Sequence, residues 1–85
     1  MGIMENLHEL QREATGAAAA AIAGLVSLPH AVVAGLADSI RGKSFNDASG
    51  VIMAQYAKIG RTVGREQSDE IVRALVEAHT RRSPH

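Results

Sequence analysis

The chain has 85 residues, none of them cysteine or tryptophan, and its aromatic content is a single phenylalanine and a single tyrosine. Without thiols it forms no disulfide, no zinc thiolate site and no cysteine nucleophile. With Phe45 and Tyr56 as its whole aromatic supply it has no stacking platform for single-stranded nucleic acid, and its core must be aliphatic. No run alternates polar and apolar residues over a useful length and no hairpin turn signal occurs, which argues against a sheet. A chain of this length allows one small domain, 1–85, with no room for a nucleotide fold beside a substrate domain.

Excess charge is also lacking. Nine Lys and Arg balance nine Asp and Glu, so nothing in the total points to nucleic acid or to an acidic tail. The distribution is uneven, however. Up to Ile40 the chain carries Arg12 against Glu5, Glu9, Glu13 and Asp38, a net charge of −3, and from Arg41 onward eight basic residues meet five acidic ones, a net charge of +3. Halves of opposite sign can pair within one molecule or dock head to tail onto a copy.

What is abundant is alanine. The 24 residues from Ala14 to Ala37 carry no charge, and ten of them are alanine. Glu5, Glu9, Arg12 and Glu13 precede this run, which is not the basic leader of a secretory signal. A cytoplasmic location, or a place in an assembled particle, is therefore expected ahead of secretion. The run is long enough to cross a bilayer, but Ser27, Pro29 and His30 interrupt it and alanine contributes little to insertion. A buried helix pair is the main expectation, and a membrane segment over 14–37 is the alternative.

The pattern predicts an all-α protein of three to four helices, about 4–28, 29–41, 45–64 and 69–81, forming a small hairpin or bundle. In the first, Leu7, Leu10, Ala14, Ala17, Ala21, Gly24 and Leu28 recur at three and four residues as an unbroken seam, small in its middle, where a second helix can approach closely. Gly16, Ala20 and Gly24 form a further small-residue row. Pro29 breaks the chain, Ser27 is placed to cap the second helix, and Gly42 stands at its end. That helix offers Val32, Val33, Leu36 and Ile40. Ser44 and Asp47 resemble a capping box for the third helix, whose stripe is Phe45, Ala48, Ile52, Tyr56, Ile59 and Val63.

Arg65 to Ser68 reads as a turn, with Ser68 capping a last helix of apolar stripe Ile71, Val72, Leu75 and Val76; the alternative is one long helix over 45–81, with Gly60 and Gly64 costing about 1 kcal/mol each. Glu70, Arg73, Glu77 and Arg81 are spaced for ion pairs on its exposed face. Residues 81–85 read as a short basic tail. Alanine-rich helices bury little area apiece, so the core is expected to be completed by oligomerisation or docking.

Catalytic and metal signatures are missing. His8, His30, His79 and His85 stand at no metal-ligating spacing, and His8-Glu9 is followed by Gln11 and Arg12 where a zinc-protease motif needs a second histidine. Glu9 and Glu13 share a helical face, but no Glu-x-x-His motif accompanies them. Gly42-Lys43-Ser44 matches the end of a phosphate loop whose first glycine would fall at Ala37. No nucleophile, base and orienting set is present, so neither an enzyme nor a bound cofactor is expected. Lys58, Arg61 and Arg65 form a basic stripe, expected to pair with Glu5, Glu9 and Glu13 of the same chain or a neighbour ahead of nucleic acid or lipid.

Three functional expectations follow. The first is a structural or assembly subunit whose alanine-rich first helix packs against copies of itself or a larger protein, as in small components of virions and secretion machines. The second is a membrane-active protein of holin, pore or ejection type that inserts 14–37. The third is a small soluble regulator that binds one protein through the Phe45 to Val63 stripe.

Overall fold

A computed structural model describes residues 2–82, and it is helical throughout: α1 (Ile3–Glu13), α2 (Gly16–Val26), α3 (His30–Ile40), α4 (Phe45–Lys58) and α5 (Arg65–Arg82). The all-α class stands, with five helices in place of three or four. The extra helix comes from the first predicted one. Thr15 is extended (φ −135°, ψ 162°) and Gly16 takes the left-handed φ of +61°, which ends one helix and starts another. A straight helix over 4–28 would run about 37 Å at 1.5 Å per residue, longer than the 34 Å greatest dimension of the folded chain. Broken at Thr15, both pieces lie on the same neighbours.

That neighbour is α5, which packs against α4, α1 and α2, while α3 covers α4 and touches α1 and α5. Ile3, Leu7 and Leu10 of α1, Ala21, Ile22 and Leu25 of α2, and Val33, Leu36, Ala37 and Ile40 of α3 close one aliphatic core with Ala48, Ile52 and Tyr56 of α4. From α5 come Ile71, Val72, Ala74, Leu75 and Ala78. Val76, expected on this stripe, is 53% exposed. At 100° per residue it lies on the far side of α5 from Ala74 and Ala78, which take the inward positions because alanine suits a helix crossed by three others.

The helix ends depart from expectation in three places. Pro29, not Ser27, caps α3, and its carbonyl accepts from Val32 and Val33; the Ser27 hydroxyl turns back to the Gly24 carbonyl at 2.7 Å. The bend between α2 and α3 is 118°. Helix α4 stops at Lys58, not 64, because Gly60 at φ +78° lets its own N–H reach Ala57 and the Arg61 N–H reach Tyr56, at 3.1 and 2.9 Å. These two bonds satisfy the last carbonyls and reverse the chain. Finally, α5 begins at Arg65, so Ser68 is no cap. It is fully buried inside the helix with its hydroxyl on the Gly64 carbonyl at 2.9 Å. Ser44 does cap α4, accepting from the Asp47 N–H at 3.2 Å. Arg81 belongs to α5, and residues 83–85 of the expected tail lie outside the described residues.

Candidate interaction surfaces

The seam from Leu7 to Leu28 is not one surface. Leu7, Leu10, Ala21 and Leu28 are buried in the chain's own core, Ala14 and Gly24 are half-buried, and Ala17 faces solvent. The break at Thr15 rotates α2 relative to α1, so spacing that was continuous along one helix is divided between two. What α2 leaves outside is the opposite row, with Gly16, Ala17, Ala20 and Ala23 exposed and no charged side chain on the helix. The bend carries the same uncharged character into α3, where Pro29, His30, Ala31 and Gly35 are exposed.

The second stripe divides similarly. Ala48, Ile52 and Tyr56 are buried, Val63 packs at the edge of the core, and Phe45 and Ile59 at the two ends are 44% and 40% exposed. The Tyr56 hydroxyl is buried without a hydrogen-bond partner. Burial raises its pKa above the ordinary tyrosine value, against a smaller lowering by the Arg61 charge.

The basic stripe does not meet the acidic face of α1. The Arg61 guanidinium lies over the Tyr56 ring at 5.8 Å and donates to the Ser27 hydroxyl at 3.3 Å, beside the C-terminus of α2. Arg65 donates to the backbone carbonyl and side-chain oxygen of Asn46. Lys58 is exposed on α4. The reversal at Gly60 turns Arg61 and Arg65 away from α1. Arg81 takes their expected place, binding Glu13 at 2.6 Å and Glu9 at 3.5 Å. The pairing of opposite halves is thus made within the molecule at one end of α5. Of the pairs spaced along α5, Glu70 and Arg73 meet at 2.7 Å.

Three buried polar residues escaped the sequence pattern. Asn6 of α1 donates to the Ala78 carbonyl at 2.9 Å, Ser49 of α4 to the Asp69 carboxylate, and Ser68 back along α5. Each sits at a position where apolar periodicity calls for an aliphatic residue, and Asn6 and Ser49 tie α1 and α4 to α5. Among the described residues no three His, Asp or Glu side chains converge as a metal site requires, and no single helix is long and apolar enough to cross a membrane.

No protein-family model matches the chain, and no curated protein or solved structure shows significant similarity to it.

Proposed function

We propose that the protein is a non-enzymatic assembly subunit whose alanine-rich helix α2 packs against further copies of the chain or a larger protein. One observation carries this reading: the outer face of α2, Ala17, Ala20 and Ala23, is exposed and flanked by no charge on its own helix. A helix at the surface of a finished protein ordinarily turns charged residues outward. Small side chains instead let a second backbone come close, and covering them removes apolar surface from water.

The membrane reading has a specific support of its own, because α2 and α3 together meet the length and composition of a bent span. The regulator reading has less, since Ala48, Ile52 and Tyr56 are occupied by the chain's own core. Light scattering without detergent, with and without anionic liposomes, separates the first two. A discrete mass above one chain, unaffected by liposomes and lowered by Ala17→Glu with Ala20→Glu at unchanged helicity, is the expected result. A mass indifferent to those changes removes α2 as the contact, and transfer into the vesicle fraction replaces assembly by insertion.

A further inference from the structure

The outward face of α5 is a second uncovered surface, and its two flanks differ in charge. Arg73, Val76, Glu77 and Thr80 face solvent along it. On the flank where α1 and α2 lean against α5, a groove of about 250 Å³ has an apolar floor that includes Ala14, Ala18, Ile22 and Ala74, and a rim carrying Glu13, Glu70 and Glu77 against one base, Arg73. On the other flank, where the α3–α4 turn meets α5, a groove of about 480 Å³ over Ala37 and Ile40 is rimmed by Arg41 and Lys43. Phe45 follows that turn, 44% exposed, with the Arg73 guanidinium 5.6 Å from its ring centre. Arg41 is paired with Asp38 and Glu70 with Arg73, whereas Lys43 and Glu77 have no ion-pair partner among the described residues.

We propose that this face binds a second copy of the chain through a two-fold axis running along α5. Rotation about that axis carries the acid-rimmed flank of one copy over the base-rimmed flank of the other, and does so twice. Lys43 of each copy then faces Glu77 of the other, Phe45 faces the other's smaller groove, and Thr80 and Arg73, whose charge Glu70 already pairs, lie near the axis. A two-fold axis across α5 would set acid on acid, so the charge distribution selects the axial arrangement. Such an isologous contact closes at two copies, and complementary rims fix its register. The proposal rests on the assembly-subunit reading in that both require copies to associate, but it uses no residue of α2's outer row.

Charge reversal tests it, because Lys43 and Glu77 are exposed and leave the core untouched. Light scattering of the full chain is expected to give at least a dimer, and a dimer where Ala17→Glu with Ala20→Glu removes the α2 contact. Lys43→Glu alone and Glu77→Lys alone each weaken that dimer at least tenfold, and an equimolar mixture of the two variants regains the dimer, since both contacts of the mixed pair are then of opposite sign. Phe45→Ala weakens association without restoring it in any mixture. A monomeric wild type, single variants as dimeric as wild type, or a mixture that stays monomeric overturns the proposal. Should the charge variants have no effect while Ala17→Glu with Ala20→Glu lowers the mass, the α5 contact falls and the reading of α2 stands; the converse pattern keeps α5 and removes α2.

Discussion

Helices α2 and α5 lie against each other, yet they are held by different means. From α5, Ser68, Ile71, Val72, Ala74, Leu75 and Ala78 are buried, on a helix crossed by three others. From α2 only Ala21, Ile22 and Leu25 are buried. Side-chain bonds follow the same division. Asn6 and Ser49 fasten α1 and α4 to α5, while α2 has the Arg61 contact at Ser27, where a cation suits the negative end of the helix. One helix is the axle of the fold, and the other is a cover whose outer surface carries only small uncharged residues.

The largest test of this difference is truncation. Leu75 is fully buried at the centre of α5, and Leu75→Ala is expected to cost about 2–5 kcal/mol by urea denaturation. A domain of this length holds about 4–13 kcal/mol in all, so the variant approaches unfolding. Ala20→Leu on the outer row of α2 should change stability by less than about 0.5 kcal/mol. Equal effects at the two positions would mean that α2 is packed on both faces within a single chain.

This contrast also explains what the sequence could reveal. The apolar spacing of Leu7 and Leu10, of Val33, Leu36 and Ile40, and of Ile52 and Tyr56 reports burial correctly because each set lies on a helix that meets the core with one face. Spacing failed where the buried face is turned or the register is blurred. On α5 the buried face is centred nearer Leu75 and Ala78 than the expected stripe, so Ala74 and Ala78 are buried and Val76 is not. In the alanine run every register looks alike, and periodicity placed Ala17 and Ala21 on one seam when one is exposed and the other buried. The break at Thr15 carried a weak signal, a β-branched residue before glycine. The partners of Arg61, Arg65 and Arg81 carried none, since they depend on how the chain reverses at Gly60.

A finer test sits within α2 itself. Ala21 has no exposed surface and Ala17, one turn earlier, faces solvent. Adding three carbons at Ala21 has no space to fill, so Ala21→Leu is expected to lose about 1–3 kcal/mol through overpacking. Ala17→Leu should leave the stability of the single chain within about 0.5 kcal/mol and act only on association. Had the two alanines formed one seam, as spacing suggested, both substitutions would destabilise alike. Thermal unfolding at a concentration low enough to keep the chain monomeric distinguishes these cases.

The smallest effect belongs to the clasp that joins α1 to the end of α5. The hydrogen bond from Arg81 holds the Glu13 carboxyl below its ordinary pKa of 4.5, against an opposing push from desolvation and with smaller help from the charges of Arg81 and Arg12. A carboxyl whose pKa is lower folded than unfolded lends stability above its unfolded pKa and loses it as pH falls through the folded value. Glu13→Gln should therefore be slightly less stable than wild type at pH 7, and the gap should close in acid and at high salt. The Glu13 side chain is 59% exposed and that of Arg81 34%, so the gap is expected to be small even at neutral pH. A difference that persists unchanged at pH 3 would mean that Glu13 acts by packing against α5 and not by charge, and α1 would then resemble α2 in being held without electrostatic help.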